Sequence, residues 1–161
     1  MSDPDETDAT HLARAVALSR EPMLAGEGGP FGAVVVRDGR VLAEGWNRVT
    51  STNDPTAHAE VVAIRLACAA IGDFSLDGAT LYASCEPCPM CLASAYWARV
   101  ARIVYANTRA EAAAIGFDDA LIYDEIPKAP EARRIPMRHA PSPDARAIFA
   151  AWLAKADRVA Y

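Results

Sequence analysis

No apolar run in the 161-residue sequence approaches the length that a bilayer demands, which excludes a membrane-spanning helix on sequence grounds. Basic residues are in the minority, with 16 Lys and Arg against 21 Asp and Glu and a net charge of −5. A protein that lives on nucleic acid needs a basic face, so this balance argues against that class of partner. The N-terminus lacks the basic-then-apolar order of a secretory signal, since residues 1–9 carry Asp3, Asp5, Glu6 and Asp8. That stretch is expected as a short, disordered, solvated leader, and the location as cytoplasmic. Internal repeats and low-complexity linkers are absent too, so residues 10–161 are expected to form one domain. Cysteine is scarce, at four residues, yet Cys85, Cys88 and Cys91 fall within one seven-residue stretch. Such crowding suits metal binding better than a disulfide framework.

What is present reads as alternating helices and strands. Leu12, Ala15, Val16 and Met23 fall at helical spacing from Thr10 to Leu24, with Pro22 expected to end or kink the segment. Phe31–Arg37 and Val41–Trp46 flank Asp38-Gly39, a hairpin signal because both turn residues tolerate positive φ. A polar loop, residues 47–56, leads into a helix from His58 to Ile71 that Gly72 stops. Ala79–Ser84 is a predicted strand running into Cys85, and a helix follows from Pro87 or Cys88 to Ala98, with Pro89 tolerated in its first turn. Arg102–Ala106 is a further strand, and Glu111–Ala114 and Asp119–Tyr123 read as helical turns. The five prolines of residues 127–143 predict an extended crossing segment. Ser142 then caps a last helix, Pro143–Lys155, with Ile148, Trp152 and Leu153 on its apolar side. The order α-β-β-α-β-α-β-α predicts an α/β fold, a three-layer α/β/α sandwich around a mixed central sheet. Arg99, Arg102, Arg133 and Arg134 are expected on the solvated surface.

Two short pieces carry the chemistry: His58-Ala59-Glu60 and Pro87-Cys88-Pro89-Met90-Cys91. Cys88 and Cys91, three apart, share one helix face and sit in a first turn that favours thiolate over thiol. His58 adds a neutral imidazole. Two thiolates, one imidazole and Zn²⁺ sum to zero charge, with three protein ligands and one open position, the mark of a catalytic zinc. A water in that position has its pKa lowered to about 7. Glu60 lies close enough to take that water's proton and pass it on without ligating the metal. A Cys-x-x-Cys redox pair would leave His58 and Glu60 unexplained. A closed structural zinc using Cys85 is the other alternative, and Cys68, mid-helix among alanines, reads as a small buried hydrophobe.

The stretches Gly29-Pro30-Phe31-Gly32-Ala33-Val34, Asn53-Asp54-Pro55-Thr56-Ala57-His58-Ala59-Glu60 and Ser84-Cys85-Glu86-Pro87-Cys88-Pro89-Met90-Cys91 resemble the cytidine deaminase superfamily. Tyr96-Trp97-Ala98-Arg99, Gly116-Phe117-Asp118-Asp119 and the terminal Tyr161 are similar to the short bacterial guanine deaminases within it. The resemblance implies a zinc-dependent aminohydrolase that converts guanine to xanthine and ammonia, with zinc on His58, Cys88 and Cys91 and with Glu60 shuttling protons. It further implies that Asn47 hydrogen-bonds the purine and that Phe31 and Trp97 pack on its ring, Trp97 across a homodimer. Asp119, or Asp118 in its place, reads the polar edge, and Tyr161 caps the pocket. By the same resemblance, residues 127–161 are exchanged between subunits. Without it, Asn47 is equally a turn residue, and Phe31 and Trp97 equally core. Alternative substrates are guanosine, an aminated triazine such as ammeline, or cytosine. The rival classes are a tRNA adenosine deaminase, which the acidic balance disfavours, and a non-catalytic zinc-stabilised module, which the presence of Glu60 disfavours.

Overall fold

Strand β1 (Gly32–Arg37) is apolar on both faces, and its period-two geometry divides its side chains between two layers of helices. Ala33 and Val35 pack with Ala59, Ala63, Leu81 and Ala95 on one side, while Val34 and Val36 pack with Ala15, Leu18 and Tyr82 on the other. The computed structural model describes residues 4–161 and bears out the three-layer α/β/α arrangement. Its mixed sheet has the order β2-β1-β3-β4, with β2 at Arg40–Trp46, β3 at Thr80–Cys85 and β4 at Arg102–Asn107. β1 is antiparallel to β2 and to β3, and β3 is parallel to β4. Asp38 and Gly39 both take positive φ, 52° and 71°, as the two-residue hairpin turn requires.

Helix α1 (Pro4–Leu24) covers one face of the sheet. Its start corrects the sequence reading: residues expected in a disordered leader are helical from Pro4, and residues 1–3 lie outside the described part. The physical reason is an anchor that local pattern does not reveal. Asp8 accepts two hydrogen bonds from Arg102, at 2.6 and 2.7 Å, and one from the Tyr82 hydroxyl at 2.6 Å. These contacts hold its carboxyl down at a pKa of about 2, the Arg102 bond being the largest cause. Arg102 is exposed, as expected, and from the surface it ties α1 to β4. Pro22 neither ends α1 nor stops it short of Leu24.

The other face carries α3 (Ala59–Ile71) and α4 (Pro89–Trp97). Close approach of α3 to β2 depends on Gly45, where a Cβ would stand 2.5 Å from the Ala59 carbonyl oxygen and 2.6 Å from the Ala63 nitrogen. No side chain fits there, so the first turn of α3 rests directly on the strand. Gly72 closes α3 in the left-handed conformation, as expected. A short helix, α2 (Val49–Thr52), stands inside the predicted loop. Helix α5 (Arg109–Ala114) opens with a reciprocal capping box between Thr108 and Glu111.

The chain divides into two compact units, one ending at Asp119 and one running from Ala120 to Tyr161. The second contains α6 (Ala120–Glu125), a single 3₁₀ turn at Pro130–Ala132 and α7 (Pro143–Ala154), capped as predicted by Ser142, whose hydroxyl accepts from Ala145 N–H at 3.2 Å. Arg133 is also more than solvated surface. It donates to the carbonyls of Ile126 and Lys128 at 3.0 and 3.1 Å and so braces the proline-rich segment. On α7 the predicted apolar side is present but open: Ile148, Trp152 and Leu153 are exposed. Among the described residues no helix is long and apolar enough to cross a membrane.

Candidate functional site

Two helix N-termini meet at the site. His58 is the N-cap of α3 and Cys88 the N-cap of α4, both with extended backbone, and neither side chain caps its own helix. Pro89 occupies the first turn of α4, where a missing N–H costs nothing. With Cys88 at the cap rather than inside the helix, Cys91 lies one turn on, and both sulfurs face His58. The His58 Nδ1 atom lies 3.6 Å from Cys88 Sγ and 3.5 Å from Cys91 Sγ. The three donor atoms all fall within 4.8 Å of one another.

That spacing fits zinc. Bond lengths of about 2.3 Å to sulfur and about 2.1 Å to nitrogen, at a tetrahedral angle, put sulfur and nitrogen about 3.6 Å apart. The Cys88 thiol is already drawn down to a pKa of about 4, first by a hydrogen bond from Cys91 and then by one from His58. Cys91, in turn, is pushed up by Cys88 and by burial, and the contact with Cys88 raises His58. One cluster thus shares protons that a cation would displace. Cys85 stands apart: its thiol faces the Thr108 carbonyl at 3.7 Å, and it does not join the group, so the closed four-ligand alternative gains no support. Burial lifts the Cys85 thiol to a pKa of about 11. Cys68 is half-buried, with its thiol near the Phe74 carbonyl, and all four cysteines are free.

Glu60, on the first turn of α3, is buried at 8% exposure and accepts from Cys91 Sγ at 3.4 Å. Burial, the largest cause, raises its carboxyl above the ordinary glutamate range. A carboxylate so placed takes up a proton more readily than an exposed one.

The remaining predicted residues distribute unevenly. Asn47, at the end of β2, is buried, and its Oδ1 accepts from Gly29 N–H at 3.1 Å and Val49 N–H at 3.2 Å. Phe31 is half-buried and meets Phe117 edge-on, with ring centroids 4.9 Å apart. Asp119 is half-buried and its carboxyl is raised, chiefly by burial with a contribution from the Cys88 charge, whereas Asp118 is exposed. Trp97 ends α4 at 67% exposure. Tyr161 ends the second unit and is exposed.

Several residues around the site escaped the sequence reading. The buried Ser84 hydroxyl accepts from Gly32 N–H at 3.0 Å and fixes the start of β1. Glu86 accepts from Arg109 N–H at 2.9 Å, tying the cysteine loop to α5. Glu27 accepts from the Trp46 indole N–H at 2.6 Å. Only the capping box had a readable signal, the Thr-x-x-Glu spacing of Thr108 and Glu111.

Comparison with known proteins follows the same lines. The family described as "Cytidine and deoxycytidylate deaminase zinc-binding region" matches residues 5–107. The chain is 52% identical to a guanine deaminase of Bacillus subtilis over 94% of its own length and 97% of the relative's. The crystal structure of guanine deaminase from Bacillus subtilis superposes with a TM-score of 0.92, covering 95% of this chain and 98% of that one. A tRNA-specific adenosine deaminase of Agrobacterium fabrum is 53% identical, but over only 47% of this chain and 50% of its own. The structure of a guanine deaminase from Nitrosomonas europaea gives a TM-score of 0.65 at 33% identity, over 74% of this chain and 66% of that one.

Proposed function

Because the chain belongs to the cytidine and deoxycytidylate deaminase zinc-binding family, as a zinc-dependent aminohydrolase with near-full-length likeness to guanine deaminase, we propose that it hydrolyses guanine to xanthine and ammonia. The observation that carries this reading is the buried Glu60 carboxyl beside a three-ligand His58, Cys88 and Cys91 set. Zinc held by those three residues supplies Lewis acidity, which makes a hydroxide nucleophile available near neutral pH.

The chain's own residues do the rest. Glu60 accepts the proton of the attacking water as oxygen bonds to C2 of the base. It delivers that proton to the neighbouring ring nitrogen, then takes the proton of the hydroxyl now on C2 and passes it to the amine as the C2–N bond breaks and the C2 carbonyl forms. Ammonia leaves, and no external acid or base is consumed. Burial supports this role, because a carboxylate lifted above its usual range takes up the water's proton more readily than an exposed one.

Asn47 donates from its side-chain amide to the purine, and Phe31, braced by Phe117, packs on the ring. Asp119 rather than Asp118 reads the polar edge, supported by its partial burial and its response to the Cys88 charge. Trp97 completes the wall from a second copy, and Tyr161 caps the pocket. The homodimer, with residues 127–161 exchanged, is supported by the exposed apolar side chains of α4 and α7, including Tyr96, Trp97, Phe149 and Leu153. The net charge of −5 favours a free base over nucleic acid as substrate, and the free cysteines suit the cytoplasm.

The test is ammonia release from guanine, guanosine, adenine, cytosine and ammeline with zinc-loaded protein. Turnover of guanine well above the others is expected. Turnover of another amine with guanine untouched would overturn the substrate assignment and keep the aminohydrolase.

A further inference from the structure

Asn47 is held in one orientation by its surroundings. Both groups that meet its Oδ1, Gly29 N–H and Val49 N–H, are donors, so only the amide oxygen satisfies that position. The Nδ2 atom makes no hydrogen bond to the protein among the described residues. No fully buried side-chain polar atom there lacks a partner, so Nδ2 keeps access to open space. Asn47 therefore presents two N–H donors and no acceptor to whatever it meets.

What maintains this is the loop before β1. Gly28 lies directly against Asn47: a Cβ there would overlap the Asn47 carbonyl oxygen and stand 2.5 Å from Oδ1. The loop is fastened at the preceding residue from two directions. The Glu27 side chain accepts from Trp46 Nε1 at 2.6 Å, and the Glu27 carbonyl accepts from Ser51 N–H at 3.2 Å and the Thr50 hydroxyl at 3.3 Å. Trp46 is a firm post, packed against the core layer beneath α1. Immediately downstream the Phe31 carbonyl accepts from Asn47 N–H at 3.0 Å, so one loop locates both Phe31 and Asn47.

We propose that Glu27 is a positioning residue for substrate binding: its bond to the Trp46 indole seats Gly28 and Gly29 against Asn47, which fixes the Asn47 amide as a donor toward an acceptor atom of the base. This rests on the reading of Asn47 as a purine contact. Glu27 does not touch the substrate. Its action passes through Gly29 and Asn47, and because Asn47 binds the ground and transition states alike, its loss is felt in KM rather than kcat.

The experiment uses the zinc-loaded protein and the variants Glu27→Ala, Glu27→Gln and Trp46→Phe, with Glu27→Ala also placed in an Asn47→Ala background. Hydrogen exchange of the Gly29 and Val49 amides is measured without substrate, and steady-state kinetics with guanine. Loss of the anchor is expected to speed Gly29 exchange about tenfold in Glu27→Ala and Trp46→Phe. KM is expected to rise about tenfold with kcat within about twofold and zinc content unchanged. Glu27→Gln, whose amide oxygen still accepts the indole N–H, restores most of both. In the Asn47→Ala background Glu27→Ala adds nothing further. Unchanged exchange at Gly29, a fall in kcat with KM constant, or an effect that persists without Asn47 each overturns the inference. Faster exchange at Gly29 in a protein that leaves guanine untouched would overturn the function and leave the anchor standing.

Discussion

At the scale of single residues, the site separates groups that look alike in sequence. Cys85 and Cys88 flank the same Glu-Pro pair, yet burial raises the first thiol to a pKa of about 11, while hydrogen bonds from Cys91 and His58 lower the second to about 4. Cys85→Ala is therefore expected to keep one zinc per chain, and Cys88→Ala to lose it, as read by metal analysis after dialysis. Asp118 and Asp119 are likewise adjacent, and only Asp119 is partly buried. Asp119→Asn is expected to lower kcat/KM for guanine at least about tenfold, the order of one hydrogen bond to a charged group. Asp118→Asn should leave it nearly unchanged. Equal losses in both would reject the assignment.

At the scale of elements, local pattern identified what periodicity and turn chemistry encode. The hairpin at Asp38-Gly39, the stop at Gly72 and the Ser142 cap all stand where the sequence reading put them. The His58, Cys88 and Cys91 group was legible because two short motifs carry it whole. The start of α1 was not legible, because acidic residues near a terminus look solvated until their partners are known. Asp8 meets Tyr82 and Arg102, 74 and 94 residues away, and no window spans that distance. The Glu27 anchor on Trp46 was hidden for the same reason. A pH dependence follows for α1. Asp8 titrates at about 2 in the fold against an ordinary value of 3.8, so its contribution is complete above the ordinary value and is lost as pH falls toward the lower one. Thermal unfolding followed from pH 7 down to pH 2 should show Asp8→Asn less stable than wild type at the upper end, with the difference closing over that acid interval. A constant difference across the range would contradict it.

At the scale of the whole molecule, two helix N-termini, a buried carboxyl and a proton-sharing ligand set form one unit whose natural occupant is a cation. A metal bound only by the folded state adds stability by mass action, about 4 kcal/mol when free metal exceeds its dissociation constant a thousandfold. Chelation is therefore expected to lower the midpoint of thermal unfolding by about 10 °C, with zinc restoring it and protons released on rebinding. An unchanged midpoint would mean that the His58, Cys88 and Cys91 group holds nothing in solution.

The central claim joins metal and carboxyl in one reaction, and the most direct measurement takes both from the same sample: zinc content and xanthine formation from guanine, for wild type and Glu60→Gln. The account predicts one zinc per chain in each and a fall in turnover of about 10²- to 10⁴-fold in the variant, the range of general acid–base catalysis. Comparable xanthine formation by a zinc-loaded Glu60→Gln protein would contradict it, because the proton would then travel by another route.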